Sequence, residues 1–185
     1  AVSLLAVAGW GGVYSSAYTT ELLQNPFYAE RYWDEMVDRM TNMQIVKDPI
    51  LADTRKAEYV EQVKQDALST SKAARALTRE GISADFLSIG EPLEGNALLL
   101  NGTLYFGSTF IAYPGPGLHV YLTTQADPRD AEFPDATALD AGPMATPYGA
   151  QQYVLPEDSR ATNYRTVVLW DAQLKKLHGF AQLGK

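Results

Sequence analysis

The residues best suited to metal or imidazole chemistry are two histidines and one aspartate. His119 and His178 are the only histidines in the sequence, and Asp171 follows Trp170 at the end of an apolar run. Imidazole nitrogens and carboxylate oxygens are common metal ligands. Because all three residues lie on or beside predicted strands, they form a candidate metal set if the fold brings them together. The competing interpretation, which the sequence favours, places them on the polar faces of β-strands.

Other chemistry is excluded more directly. The sequence contains no cysteine, which excludes disulfides, thiolate nucleophiles, thiolate zinc sites and iron–sulfur clusters. It also has neither the Gly-x-Ser-x-Gly elbow of many hydrolases nor a glycine-rich phosphate loop. We therefore expect no catalytic residue, no metal and no resident cofactor, and we predict that the protein is not an enzyme.

The charge of the chain argues against nucleic acid as a partner. The 185 residues include 15 Lys+Arg and 22 Asp+Glu, which gives a net charge of -7, and phosphate backbones select basic surfaces. The acidic, proline-rich segment 124–146 is predicted to be an exposed loop. Its carboxylates match no known calcium-loop spacing, but they leave open a binding module for a cell-envelope ligand. These carboxylates are Asp127, Asp130, Glu132, Asp135 and Asp140.

The first twenty residues predict a membrane anchor. Residues Ala1–Thr20 carry no formal charge, and twenty helical residues span about 30 Å, the thickness of a bilayer's hydrocarbon core. Ala8, Gly12 and Ser16 lie four residues apart on one helical face, where small side chains favour close packing between membrane helices. The alternatives left open are the remainder of an export signal and a buried soluble helix.

The distribution of positive charge predicts the side of the membrane. No Lys or Arg occurs between the apolar segment and Arg31, whereas cytoplasmic flanks are usually rich in these residues. We therefore predict that the part of the chain after the anchor lies on the extracytoplasmic side, which is the periplasm in a bacterial cell.

The middle region, residues 21–83, is predicted to be helical. Asn25-Pro26 has the character of an N-cap followed by proline at the first helical position. A second helix is expected from about Asp53 to Glu80, ending at Gly81. Apolar side chains recur at near-helical spacing in the first helix. From that face we select three candidate contacts with a partner protein: Trp33, Met36 and Met40.

The last region, residues 84–185, predicts a β domain. Gly95–Leu100 and Thr103–Phe106 flank Asn101-Gly102, which is a strong signal for a two-residue hairpin. Further strands are expected at Ser108–Ala112, Leu118–Thr123, Arg165–Trp170 and Lys176–Leu183. Many short strands separated by Gly/Pro turns indicate an antiparallel sandwich or barrel. The whole chain is thus predicted to be α+β: a membrane helix, a helical region and an antiparallel β-sandwich.

Six tyrosines in the β domain either fill its core or anchor an interface: Tyr105, Tyr113, Tyr121, Tyr148, Tyr153 and Tyr164.

Five ordered segments of this region resemble a known family, the electron-transfer DM-thirteen domain, over about Gly90–Leu183. The segments are GEPLEGNALLLNGTLYF, PGPGLHVYLT, LDAGPM, GAQQYVLP and YRTVVLWDAQLKKLHGFAQL. The resemblance implies a small β-sandwich, often exported and tethered by an N-terminal membrane helix, with a redox role inferred from the family's name. It also places the family's Asp at Gly117 and the family's near-invariant Cys at Asp171. Because a carboxylate does not cycle between thiol and disulfide, the resemblance supports the fold more than the redox chemistry.

The leading functional hypothesis is a non-catalytic, membrane-anchored accessory subunit. Its β-sandwich is expected to dock on a larger integral membrane complex, with a photosynthetic reaction centre or a respiratory electron-transfer complex as the candidate host, and its N-terminal segment is expected to contact the lipid bilayer. The first alternative is a redox protein in its own right, with a metal or haem bound through His119 or His178. The second is the cell-envelope ligand-binding module that uses the acidic loop.

Overall fold

The structure is a computed structural model that describes residues 17–129, 132–160 and 162–184. The chain forms two compact units, of which the first ends at Ala76 and the second begins at Leu77. The first unit is helical and the second is built mostly of β-strands, as the sequence predicts.

The segment predicted to anchor the chain lies almost entirely before the described residues. Ala8, Gly12 and Ser16, the predicted membrane-packing residues, are outside the described part of the chain. Within the described ranges, no helix combines the length and the apolar composition that a bilayer crossing requires. The anchor therefore stays a prediction from the sequence.

The structure confirms the helix start that the sequence predicts at Asn25-Pro26. The Asn25 side chain accepts hydrogen bonds from the backbone N–H groups of Phe27 and Tyr28, while Pro26 has no N–H to leave unsatisfied in the first turn. The described elements of this region are helix α1 (Ala17–Leu22), helix α2 (Pro26–Ile45), a 3-10 helix (Pro49–Ala52) and helix α3 (Thr54–Glu80), whose last residues belong to the second unit.

Helices α2 and α3 share a small apolar core and a polar contact beside it. Four buried side chains form the core: Ala29, Trp33, Ala67 and Ala74. Next to them the buried Ser71 hydroxyl donates a hydrogen bond to Asp34 at 2.5 Å. Arg75 also donates to Asp34. Polar contacts as well as apolar packing therefore hold the two helices together.

The β unit contains one large antiparallel sheet and one small ribbon. The sheet order is β7-β6-β9-β10-β1-β3-β4-β8, and β2 pairs with β5. The edge strands β7 and β8 approach each other, so the sheet nearly closes into a barrel. The described strands are β1 (Ile82–Ser88), β2 (Leu93–Glu94), β3 (Asn96–Leu100), β4 (Thr103–Phe106), β5 (Ile111–Ala112), β6 (Leu118–Thr123), β7 (Leu139–Pro143), β8 (Gln151–Val154), β9 (Thr166–Asp171) and β10 (Lys176–Gln182).

The core of the β unit follows from the alternation of apolar residues along its strands. Phe86, Phe106 and Phe110 meet at its centre, with ring centroids 4.7 to 5.4 Å apart. The predicted hairpin at Asn101-Gly102 is present, with φ of 50° and 72° at the two turn residues. Such positive angles are what a two-residue turn between twisted strands demands.

Two expectations from the sequence are wrong in this unit. The segment 124–146 is not one exposed loop, because its residues Leu139–Pro143 form strand β7 against β6 and its residue Phe133 is buried. Strand β1 (Ile82–Ser88) was not expected, yet it pairs with both β10 and β3. In both cases the partner strands supply the backbone hydrogen bonds that a weak local pattern does not indicate.

Candidate functional site

The β9–β10 hairpin brings Asp171 and His178 to one buried place. Lys176 lies opposite Asp171 and Leu177 opposite Trp170, but the next aligned pair skips one residue, so His178 occupies a β-bulge. Bulges redirect a side chain relative to the regular alternation. The result is that both side chains are buried, with exposed fractions of 0% for Asp171 and 3% for His178. The interpretation that placed them on exposed polar strand faces is therefore wrong.

Asp171 is held by backbone donors from two separate turns. The N–H groups of Gln173 and Leu174 donate to its Oδ1 at 2.9 and 2.8 Å. The N–H of Gly117, in the PGPG turn (114–117), donates to its Oδ2 at 3.2 Å. Burial raises the pKa of Asp171, but the three backbone donors and the nearby His178 together lower it by more. The pKa of Asp171 therefore lies below its usual value. The carboxylate is therefore an ionised clamp between the turns.

Glycine at position 115 makes room for this arrangement. A Cβ at Gly115 would collide with Oδ2 of Asp171 and would lie 3.4 Å from Cε1 and Nε2 of His178. The backbone of the PGPG turn therefore passes directly over both side chains. Gly117 is equally close to the hairpin, since a Cβ there would lie 2.6 Å from Cγ of Gln173. Sequence analysis treated PGPG as a turn, but did not predict what it covers.

Glu91, which sequence analysis did not assign to the site, approaches the other side of His178. Its Oε2 lies 3.2 Å from Nδ1 of His178, but the geometry is not that of a hydrogen bond, and both ring nitrogens lack a hydrogen-bond partner in the described structure. Glu91 also forms an ion pair with Lys176. The pKa of Glu91 is lowered, mainly by the hydrogen bond from the Lys176 ammonium. Burial of Glu91 raises this pKa, whereas the nearby His178 lowers it.

His119 does not join this cluster. It lies opposite Trp170 on strand β6, and its Nδ1 is 2.9 Å from the Asp140 carboxylate on a half-exposed surface. The predicted set of His119, His178 and Asp171 is thus split, with only the last two together. Among the described residues, no group of three or more His, Asp or Glu side chains is arranged to hold a metal ion.

Three described carboxylates of the acidic loop, those of Asp127, Asp135 and Asp140, are engaged by neighbouring residues. Arg129 binds Asp127 through its side chain and backbone, which lowers the pKa of Asp127 to about 2. Asp135 accepts hydrogen bonds from Thr123 and Thr137. Asp140 is paired with His119. These carboxylates hold the loop in place, which does not favour a ligand site made from converging acids. Asp130 lies outside the described residues.

Pro128, Arg129 and the residues 132–134, together with side chains on the outer face of the sheet, line an open aromatic groove of about 630 Å³. Phe133 packs edge-on against Tyr121 at 5.5 Å and also contacts Trp170 at 5.3 Å between ring centroids. The Arg129 guanidinium lies 5.2 Å over the Phe180 ring. Burial, followed by the neighbouring Asp140, raises the pKa of Tyr121, which keeps this ring neutral.

The predicted tyrosine cluster divides between core and surface. Tyr153 and Tyr164 are buried in the main core, and burial raises the pKa of Tyr153 to about 12. A surface group, here called the tyrosine patch, consists of Ile111, Tyr113 and Tyr148, which are 53%, 56% and 68% exposed. Ile111 and Tyr148 form a β-bridge, so they are adjacent. The core interpretation is confirmed for Tyr153 and Tyr164, and whether the exposed tyrosines anchor an interface stays a prediction.

The predicted partner contacts of the helical unit lie mostly inside it. Trp33 is 5% exposed and Met40 is 2% exposed, while Met36 is partly buried and packs against the core of the helix pair. A partner could reach Trp33 or Met40 only if the helices separate. Whether these residues contact a partner stays a prediction.

Comparison with known proteins identifies the β unit. A family model described as Electron transfer DM13 matches residues 85–183, which is the region that carries the motif resemblance. No curated protein and no solved structure matches the chain. The description of the family connects the matched segment with electron transfer, which is a redox-related role at most and names neither a reaction nor a partner.

Proposed function

The chain belongs to the Electron transfer DM13 family, and from that premise we propose that it is a non-catalytic, membrane-anchored accessory subunit of a larger electron-transfer complex. In this proposal Ala1–Thr20 inserts into the bilayer and the β unit lies on the extracytoplasmic side. The host is an integral membrane complex, of either the photosynthetic reaction-centre or the respiratory type. The chain contributes structure and docking, and the host carries the redox groups.

The observation that carries the proposal is the bonding of Asp171. By the family resemblance, Asp171 occupies the position of the cysteine on which a thiol-based redox role would depend. In this chain its carboxylate is buried and accepts hydrogen bonds from Gly117, Gln173 and Leu174. A group whose oxygens are committed to backbone donors stabilises the fold and is poorly placed to react.

The remaining residues do not fit a resident redox group. The sequence has no cysteine, and His178, the buried histidine, is covered by the PGPG turn. The aromatic groove contains no histidine among its described lining residues, so it offers no axial ligand of the kind that holds haem iron in most proteins. An electron-transfer role for this chain is therefore better assigned to what it binds.

The tyrosine patch supports docking. Large exposed apolar and aromatic side chains that are adjacent on a surface are typical of protein contact sites, because tyrosine combines a large apolar area with a polar end. Ile111, Tyr113 and Tyr148 meet this description.

The test is co-purification from native membranes after mild detergent extraction. We expect the tagged chain to bring down subunits that carry haem or pigment, and to stay in the membrane fraction when detergent is omitted. The variant Ile111→Ser/Tyr148→Ser should lose most of the co-purified subunits. Val154→Ser is the matched control, because Val154 is 65% exposed on strand β8 and surface substitutions of this kind change stability by less than about 0.5 kcal/mol.

Two results would overturn the proposal. One is release of the intact chain as a monomer into the aqueous fraction of lysed cells. The other is a stoichiometric metal, or a visible absorption band, in the purified chain alone. Either result would favour a self-sufficient protein, the second one a redox carrier.

A further inference from the structure

His178 presents a problem that the fold alone does not solve. Its ring is 3% exposed, and neither nitrogen has a hydrogen-bond partner in the described structure. A buried imidazole always carries at least one N–H donor, and leaving such a donor unsatisfied destabilises the folded state. Unpartnered buried groups of this kind usually indicate a bound species or a functional role.

The groups around the ring show which species fits. Oε2 of Glu91, from the loop between β1 and β2, lies 3.2 Å from Nδ1. The backbone of Gly115 lies beside Cε1 and Nε2 of the ring, and Oδ2 of Asp171, from β9, is close to the same place: a Cβ at Gly115 would lie within 3.4 Å of all three atoms. The one cationic side chain in this group is Lys176 of β10, and its ammonium is bound to Glu91. The ring is thus placed between two carboxylates and faces no free cation among the described residues.

We propose that Glu91, His178 and Asp171 form a proton-binding site, in which His178 takes up a second proton and, as imidazolium, is held between the two carboxylates. A proton suits this place because no group of three ligating side chains is available to a metal ion in the described residues. Both carboxyl groups have pKa values below their usual range, so they are ionised when a histidine titrates. This inference does not depend on the proposed docking function.

Proton binding would link three segments of the β unit. Glu91 lies in the loop before β2, His178 in the bulge of β10, and Asp171 clamps the PGPG turn. The backbone also joins the first two segments, since the N–H of Ile89 donates to the carbonyl of His178 at 2.9 Å. An imidazolium that donates to Glu91 and Asp171 would strengthen this link, and loss of the proton as the pH rises would weaken it.

The experiment is a ¹⁵N NMR titration of the two histidine rings in the whole chain. Ring nitrogen shifts distinguish imidazolium from either neutral tautomer. We expect His178 to titrate as a single ring that becomes imidazolium, and Glu91→Gln to lower its midpoint by about one pH unit or more, because an opposite charge at this distance typically has an effect of that size. The matched control is Asp140→Asn, which removes a carboxylate charge beside His119, 2.9 Å from its Nδ1, and should leave the His178 titration unchanged.

A second measurement separates proton binding from simple loss of structure. Amide exchange of Ile89 should become faster as the pH rises through the His178 midpoint, after correction for intrinsic exchange, and Glu91→Gln should bring the same change at lower pH. The proposal is overturned if His178 remains one neutral tautomer at every pH at which the protein is folded. It is also overturned if Glu91→Gln leaves the His178 midpoint unchanged while the spectrum of the β unit stays native.

Discussion

The carboxylate of Asp171 accepts a hydrogen bond from the backbone N–H of Gly117, 54 positions earlier in the chain, at a distance of 3.2 Å. This contact ties the PGPG turn to the β9–β10 hairpin. Two further N–H groups, of Gln173 and Leu174, donate to the same side chain. One buried carboxylate therefore accepts hydrogen bonds from two separate turns, and we expect the stability of this end of the β unit to depend on it.

Removing this carboxylate should destabilise the β unit strongly. We expect Asp171→Ala to lower the free energy of unfolding by about 2 to 4 kcal/mol, because three backbone N–H groups in two partly exposed turns lose a charged acceptor that is itself buried. Asp171→Asn keeps one acceptor oxygen and should cost less. Urea denaturation followed by tryptophan fluorescence measures both. Asp140→Ala, at the half-exposed pair with His119, is the control and should cost less than about 1 kcal/mol; equal losses at the two positions would contradict the clamp.

The hydrogen-bonded carboxylate of Asp171 should also make the free energy of unfolding depend on pH. The pKa of Asp171 is lower in the folded chain than its usual value near 3.8, so the unfolded state binds its proton first. Its contribution is therefore complete above about pH 4 to 5 and is lost as the pH falls through the folded-state pKa. The stability difference between the native chain and Asp171→Asn should shrink below pH 4. A difference that stays constant from pH 7 to pH 3 would show that the charge of Asp171 is not involved.

The two departures that the motif resemblance implies, at positions 117 and 171, should be energetically coupled. The resemblance aligns Gly117 with an aspartate and Asp171 with a cysteine, and a Cβ at Gly117 would lie 3.1 Å from Oδ1 of Asp171. Gly117→Asp alone should destabilise the chain by about 2 kcal/mol or more, because it crowds the turn and puts like charges together. In the double variant Gly117→Asp/Asp171→Cys part of this loss should be recovered.

A double-mutant cycle measures that coupling. We expect the interaction free energy between positions 117 and 171 to be about 1 kcal/mol or more in favour of the double variant, since the two residues are in contact. Strict additivity of the two single changes would remove the idea that these two departures compensate each other.

Trp33 distinguishes core packing from partner contact in the helical unit. Because Trp33 is buried with Ala67 and Ala74, Trp33→Ala should destabilise the helical unit by about 3 kcal/mol in the isolated chain. Circular dichroism at 222 nm during thermal unfolding measures this. Met36→Ala is the control, since Met36 is only partly buried, and should have a smaller effect. If Trp33→Ala left thermal unfolding unchanged but reduced co-purification, Trp33 would be a partner contact instead.

Local sequence signals were sufficient for the helices and for the first hairpin. The Asn25-Pro26 start of helix α2, the end of α3 before Gly81 and the turn at Asn101-Gly102 all agree with the structure. Each of these features is decided by backbone angles and hydrogen bonds within a few residues, so the local residue types determine it. The strand and turn pattern also predicted the antiparallel β fold, which the structure shows, and the family match confirms the motif resemblance.

Local signals failed where a segment takes its structure from distant partners. Leu139–Pro143 lies in an acidic, proline-rich stretch, yet it pairs with β6. Phe133 follows charged residues and is buried against Tyr121. In both cases the stabilising contacts come from residues that the local pattern does not contain, and so composition gave the wrong prediction.

The sequence by itself determined that the chain has no thiol chemistry, that helix α2 begins at Asn25-Pro26, that helix α3 ends before Gly81, and that an antiparallel β domain follows. Only the tertiary structure decided which candidate residues meet. Pairing of β6 with β9 puts His119 opposite Trp170, on the face away from the core, while the bulge in β10 turns His178 inward beside Asp171. Register and bulges depend on the pairing of distant strands, and a shift of one residue reverses the face on which every side chain lies.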